Sequence, residues 1–316
     1  MRFPIRPFEK LPQFNFMGWR RFWVLFSIVS SLLAVGLMAT RGLNFGIDFA
    51  GGKLIQVQIA QAPSIAEVRT ALEAGNFPAA TIQNYGAPTE FLIRLGANDP
   101  QVQQPLAEQR VEAALEAKLG SIEVRRVEFV GPQVGEELRL QGFLAMLMAT
   151  LGILAYVWFR FELRYGLGGI LALVHDVVLT VGILSILQTE ITLTVLAAIL
   201  TLIGYSLNDT IVIFDRIREN RQRYPNKPLV EVLNLSVNQT LARTIMTVST
   251  TLLVLLALVT VGGDVIHDFA LVLIIGVLLG TYSSIFVASP VLLLLEEYYQ
   301  KMARERAARE AENPAP

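Results

Sequence analysis

Long apolar runs separated by short polar breaks make up most of the chain. The first spans Phe22 to Ala39. Five more follow at roughly Phe143 to Phe159, Leu167 to Leu187, Ile191 to Phe214, Ile245 to Val261 and Phe269 to Leu295. Each is near the roughly 20 residues that a helix needs to cross about 30 Å of hydrocarbon. The pattern predicts an α-helical membrane protein with six transmembrane helices.

Between the first and second runs, about 100 residues carry shorter periods. Leu54–Ile59 reads as a strand. Ser64-Ile-Ala-Glu67 reads as a capping box that opens a helix striped by Ile65, Val68 and Leu72. Thr81–Tyr85 and Phe91–Leu95 form a hairpin across a Gly86–Thr89 turn. Leu106, Val111, Leu115 and Leu119 stripe a second helix that stops at Gly120, and Ile122–Phe129 supplies the last strand. The order βαββαβ is that of a split-βαβ, ferredoxin-like α+β domain. A generic α+β domain with one strand misread is the alternative. The expected division is an N-terminal segment (1–21), a first span (22–40), the intervening domain (41–140), a five-span bundle (141–295) and a charged tail (296–316).

Composition sharpens this picture. The chain is 53% hydrophobic and only 17% charged, against about 25% charged in soluble domains. A soluble fold of 316 residues could not hide that much apolar surface. Net charge is −1, so nothing points to nucleic acid. With no cysteine, no disulfide holds the intervening domain together, and the redox compartment stays open. Arg20 and Arg21 precede the first run, as in a signal peptide, but the run is long for one and no A-x-A-like site follows. We read an uncleaved anchor.

Basic residues fall on alternate connections. Arg2, Arg6, Lys10, Arg20 and Arg21 precede the first span. Arg160 and Arg164 join the second to the third, and Arg216, Arg218, Arg221, Arg223 and Lys227 join the fourth to the fifth. Lys301, Arg304, Arg306 and Arg309 follow the sixth. The connections near Gln188–Glu190 and Gly262–Asp268 carry neither Lys nor Arg. The positive-inside rule puts both termini in the cytoplasm and residues 41–140 outside.

The informative residues are ionisable groups inside the spans, which cost at least a few kcal/mol and need a partner or a role. Asp209 lies in the fourth span, roughly 9 Å deeper than Asp215 at the usual helical rise. Tyr205, Ser206 and Val212 share its helix face. Arg243 begins the fifth span on a stripe with Thr240, Thr244, Thr247, Thr250 and Thr251, as expected of a face turned to the bundle interior. Burial works against charge on Asp209 and a nearby guanidinium works for it. A small change in their separation would therefore switch Asp209 between holding and releasing a proton. One charge crossing 100 mV supplies about 2.3 kcal/mol, enough to bias a two-state element. The bland alternatives are a packing Asp bonded to hydroxyls and an Arg that snorkels to headgroups. His175 and Asp176 lie near the middle of the third span with Thr180. Asp176 is a functional candidate, and His175 is either a proton relay or a structural contact. Gly276-x-x-x-Gly280 with Ser283 and Ser284 is a helix-packing face. Gly46, Gly51 and Gly52 permit tight turns at the membrane exit, where Asp48 caps a turn. Asp215, Arg216 and Arg218 anchor the cytoplasmic surface. No P-loop, zinc spacing or nucleophile motif is present, so neither covalent catalysis nor a cofactor is expected.

Leu202-Ile-Gly-Tyr-Ser-Leu-Asn-Asp-Thr-Ile-Val-Ile-Phe-Asp-Arg-Ile-Arg-Glu-Asn220 resembles the signature of the SecF branch of the SecD/SecF family of protein-export membrane proteins. Phe45-Gly-Ile-Asp-Phe-Ala-Gly-Gly52, Val130-Gly-Pro-Gln-Val-Gly135 and Asn238-Gln-Thr-Leu-Ala-Arg-Thr-Ile245 resemble other stretches of that family. The resemblance covers nearly the whole chain. It implies half of a 12-span bundle of the resistance–nodulation–division (RND) superfamily, completed by SecD and associated with the SecYEG channel and YajC. It implies use of the proton or sodium motive force to complete preprotein translocation. It maps the family's membrane Asp and Arg onto Asp209 and Arg243, and assigns a second essential Asp to SecD. Apart from the resemblance, Asn208, Thr247 and Asp176 are further ion-coupling candidates by their place beside them. Gly46, Asp48, Gly51, Gly52, Gly131 and Pro132 read as a hinge or structural motif at the membrane exit and return. The competing readings are a small-molecule exporter subunit of the same superfamily and a passive scaffold.

Overall fold

In a computed structural model, residues 13–97, 102, 106–160 and 163–312 are described. Arg2, Arg6 and Lys10 of the charge pattern and Asn313 to Pro316 of the tail lie outside the described residues. Among the described residues, six helices are long and apolar enough to cross a membrane. After a 3-10 turn at Phe16–Trp19, the helices of the bundle are α1 (Arg20–Arg41), α5 (Pro132–Arg160), α6 (Leu163–Leu187), α7 (Leu193–Arg223), α8 (Leu229–Val261) and α9 (Asp264–Ser283), which continues into α10 (Ser289–Glu312). Between α1 and α5 lie α2 (Ile47–Ala50), β1 (Gly52–Ile59), α3 (Ile65–Ala74), β2 (Thr81–Tyr85), β3 (Ala87–Gly96), α4 (Ala107–Leu119) and β4 (Ile122–Val130).

The strands form one antiparallel sheet in the order β2-β3-β1-β4, the split-βαβ arrangement that the sequence predicts. Inward residues alternate along β1 and β3, and Ile55, Val57, Phe91 and Ile93 pack on Val68, Leu72, Val111 and Leu115 of the two helices. The Ser64 capping box forms as read: the Ser64 hydroxyl accepts the Glu67 N–H, and the Glu67 carboxylate accepts the Ser64 N–H at 2.7 Å. Two stripe residues were misplaced. Leu106 sits in left-handed backbone before α4 and is exposed, with Ala107 buried instead, and Ile65 in the first turn of α3 is also exposed. The hairpin turn is tighter than Gly86–Thr89, since Tyr85 already pairs with Ala87 across Gly86.

Helix α5 begins at Pro132, well before the apolar run at Phe143, because proline is well suited to a first helical turn and Gln133, Glu136, Glu137 and Arg139 continue the helix in polar form. It starts against the end of the preceding loop: a Cβ on Gly135 would come within 2.9 Å of the Gly51 nitrogen. In the bundle, α6, α7 and the α9–α10 helix bury half or more of their apolar windows, whereas α1, α5 and α8 bury a small part of theirs. Gly276 and Gly280 bring α9 close to α7, where added Cβ atoms would lie 2.4 Å from Leu202 and 2.9 Å from Ser206. Between α9 and α10, Ser284–Ala288 is one π-helical turn. Pro290 follows it and has no N–H for an α-helical bond, which accounts for the local widening.

Candidate functional site

The polar residues of the spans gather on α6, α7, α8 and α9. Asp176 on α6 is 1% exposed and is the hub of the cluster. Its Oδ2 accepts the hydroxyls of Ser206 on α7 at 2.5 Å and of Ser283 on α9 at 2.7 Å, and its Oδ1 lies 3.1 Å from His175 Nδ1. Beside it, the hydroxyls of Thr210 and Ser284 are 2.8 Å apart. This one side chain therefore ties three helices together in the apolar interior, where a hydrogen bond is electrostatically stronger than in water. His175 Nε2 and Thr180 Oγ1 are buried with no hydrogen-bond partner among the described residues.

Asp209 is set differently. It is 5% exposed, and its Oδ2 has no hydrogen-bond partner among the described residues. Helical spacing explains the contrast. Ser206, Thr210 and Leu207 point toward α6 and α9, whereas Tyr205 bonds Thr251 of α8 at 3.2 Å, and Asp209 lies one turn on from Tyr205. Arg243 of α8 acts on Asp209 electrostatically, but no ion pair joins the two among the described residues. The expected contact pair is thus a pair held apart. Thr240, Thr244 and Val248 form the inward edge of α8, and Arg243, one residue before Thr244, falls on its exposed side.

The predicted threonine stripe splits for the same reason. Thr240 and Thr244 are buried, Thr247 is half-buried and Thr250 is exposed. Most of these hydroxyls bond back to their own helix, as Thr247 does to the Arg243 and Thr244 carbonyls at 3.1 and 3.0 Å. Asn208 lies on the exposed face of α7 with Thr201 and Gly204. At the far end of α7, Asp215 is 3.4 Å from Arg160, Arg216 bonds Glu219 at 2.8 Å and Arg218 is exposed.

The glycine motif makes a crossing of chains. Gly51 and Gly52 have φ of +70° and +129°, and Gly51 packs so closely on Pro132 that an added Cβ would lie 3.1 Å from the Pro132 Cα. Gly131, by contrast, faces open space. Asp48 does not cap its own turn: its Oδ2 accepts the Leu193 N–H at 2.9 Å, at the start of α7. Gly46 donates to the Ile191 carbonyl at 3.0 Å.

Sequence reasoning missed a clasp on the other side of the bundle. Glu296 of α10 is 3% exposed, and its two oxygens accept Arg164 of α6 at 2.5 Å and Arg221 of α7 at 2.6 Å. It also missed the seat of the N-terminal segment, where Asn238 of α8 pairs with both the N–H and the carbonyl of Phe14 at 2.8 Å. The only sequence signal for either was a polar side chain in a nearly apolar stretch.

Residues 110–298 match the family described as protein export membrane protein SecD/SecF, C-terminal, and residues 36–63, which hold the Gly51-Gly52 crossing, match the SecD/SecF GG motif. The chain belongs to the SecD/SecF family. The protein translocase subunit SecF of Magnetococcus marinus is 51% identical over 310 residues, 95% of this chain and 98% of that protein. That of Vibrio alginolyticus is 45% identical over 89% of each. The crystal structure of SecDF from Thermus, a translocon-associated membrane protein, matches with a TM-score of 0.85 at 38% identity over 94% of this chain. The chain spans 40% of that longer protein. SecDF in a super-membrane-facing form matches with a TM-score of 0.71. The six-span bundle with its small sheet domain is therefore the RND-like fold of this family, and the chain is a multi-pass membrane protein.

Proposed function

We propose that the chain is the SecF-type subunit of a protein-export complex, and that with SecD it uses the proton or sodium motive force to drive late steps of preprotein translocation. Asp209 is the group that binds and releases the ion, and Arg243 is the charge that competes for it. The observation that carries this reading is the buried Oδ2 of Asp209, which has no hydrogen-bond partner and no ion pair with Arg243 among the described residues. A carboxylate locked in a bidentate pair would have no reason to exchange. One that is buried, unpaired and beside a cation can change its occupancy with a small helix movement.

In this reading Asp176 positions α7 rather than carrying the ion, through Ser206 one turn before Asp209. Arg243, Asn208 and Thr250 lie on faces left uncovered by this chain, and polar groups on such faces in a membrane call for a partner protein. SecD is that partner, SecYEG and YajC join the assembly, and the sheet domain meets unfolded preprotein. Both termini lie in the cytoplasm and residues 41–140 outside.

The test is preprotein export into membrane vesicles that hold the complete complex, with and without an imposed ion gradient. Asp209→Asn and Arg243→Ala are expected to lose the gradient-stimulated part and keep the ATP-driven part. Normal gradient response in both variants would refute the assignment. Replacing sodium by potassium separates the two ions.

A further inference from the structure

The sheet domain is joined to the bundle covalently through α1 and α5, yet its densest polar contact is with neither. Arg94 of β3 donates to the Phe45 carbonyl at 2.7 Å, to Asn44 Oδ1 at 3.2 Å and to Glu190 Oε1 at 3.2 Å. Gln83 of β2 donates to the same Glu190 oxygen at 3.3 Å. Glu190 belongs to the short α6–α7 connection. That connection is stitched to the chain leaving α1 by three more bonds: Ile191 N–H to the Asn44 carbonyl at 2.7 Å, Gly46 N–H to the Ile191 carbonyl at 3.0 Å, and Asn44 Nδ2 to the Gln188 carbonyl at 2.9 Å. Asp48 then caps the first N–H of α7, where a helix leaves donors unpaired and favours a negative charge.

We propose that the Arg94–Glu190 pair is a rigid coupling joint that fixes the edge of the outer sheet to the start of α7, so that a displacement of α7 is delivered to the domain. Arg94 and Glu190 are positioning residues of the export reaction. The inference rests on the ion-coupling role proposed for Asp209, which lies on the same helix about 24 Å along from Leu193 at the usual rise.

Three observations favour a rigid link over a hinge. Both side chains are mostly buried, at 18% and 17% exposure. All of the Arg94 acceptors named above come from outside the sheet domain's strands, so the guanidinium spans the gap rather than decorating the sheet. Also, one carboxylate oxygen serves both β2 and β3, fixing an orientation as well as a distance. The surroundings add a constraint on charge. Burial pushes the Glu190 carboxyl above the usual carboxylate range, Arg94 draws it back, and Asp268 and Asp48 push it further up. Arg94 thus offsets part of the cost of charge on Glu190 in this corner.

The experiment uses vesicles holding the full complex and reads two quantities, gradient-stimulated export and ion uptake reported by pH- and sodium-sensitive dyes. Arg94→Glu, which opposes two carboxylates, is expected to cut export at least tenfold with ion uptake within twofold of wild type. Arg94→Glu combined with Glu190→Arg is expected to recover at least a third of export. The chain has no cysteine, so Gln83→Cys with Glu190→Cys can be bridged selectively by a short thiol-specific reagent. The open form is expected to be defective, and the bridged form to regain export. Normal export by Arg94→Glu, parallel loss of ion uptake, no recovery in the swapped variant, or arrest of export on bridging would each overturn the proposal. Asp209→Asn runs alongside: if it keeps its gradient response, the ion-coupling reading fails, whatever the joint variants do.

Discussion

Gly52 is the position where one added methyl group should do the most damage. Its φ of +129° lies in a region that residues with a Cβ avoid, at a cost of order 1–3 kcal/mol. Sterics add to this. A Cβ there would lie 2.3 Å from the Leu95 carbonyl oxygen, whereas carbon and oxygen rest at about 3.3–3.6 Å. The obstacle is backbone of the neighbouring strand, so it cannot swing aside, and β1 and β3 must part by about 1 Å where Gly52 pairs with Gly96. Losing one or two ladder bonds there costs about 1 kcal/mol each. Gly52→Ala should therefore destabilise the sheet domain by about 2–5 kcal/mol. Gly131→Ala, where a Cβ meets nothing within 4 Å, should stay within about 0.5 kcal/mol. Amide hydrogen exchange over Lys53–Ile59 in the purified full-length chain reads the difference. Gly52→Ala should exchange at least about 25-fold faster, taking 1.4 kcal/mol per tenfold. Equal protection in the two variants would refute the steric reasoning.

Two further substitutions test the charged contacts. Glu296→Ala removes the carboxylate that Arg164 and Arg221 share; because both arginines are about a third exposed, the loss should be about 2–3 kcal/mol rather than the full cost of breaking a buried pair, seen as a lower unfolding temperature in detergent. In the sheet domain, the Lys53 hydrogen bond holds the Glu108 carboxyl below the usual range. That stability is present above the ordinary glutamate value and is lost as pH falls through the depressed one. Glu108→Gln should flatten the acid limb of the exchange-versus-pH profile, and an unchanged limb would assign acid sensitivity elsewhere.

Local rules carried the sheet domain well. The Ser64–Glu67 box, the 81–85 strand and the stop at Gly120 each depend on a few adjacent residues, and each formed where it was expected. Hydropathy found every span but misjudged where α5 and α8 begin, because the window sees only the part of a helix that needs lipid and not the more polar turns from Pro132 and from Leu229. Within the site, the residue types were legible and the geometry was not. Asp209 stands out as a charge in an apolar run, but a shift of one residue around α8 decides whether Arg243 meets it, and periodicity is not that sharp. Glu296 with Arg164, and Arg94 with Glu190, join residues 132 and 96 positions apart. No spacing rule reaches so far.

The two membrane carboxylates make a matched pair for separating structure from ion handling. Asp176 has its acceptors filled by Ser206, Ser283 and His175, whereas Asp209 has a free oxygen. Asp176→Ala would leave the Ser206 hydroxyl and His175 Nδ1 without this acceptor, while Ser283 keeps the Gly280 carbonyl at 3.2 Å; at about 1–3 kcal/mol for each buried group left unsatisfied, the bundle should lose at least about 2 kcal/mol. Asp176→Asn is gentler, because a carbonyl oxygen can still accept both serines and the amide can donate to the other tautomer of His175. It should therefore fold and keep most of its gradient-stimulated export, while Asp209→Asn folds equally well and loses it. If folded Asp176→Asn proved as inactive as Asp209→Asn, with its ATP-driven export intact, the hub would be carrying the ion as well. The difference in hydrogen bonding between the two acids would then not be a difference in role.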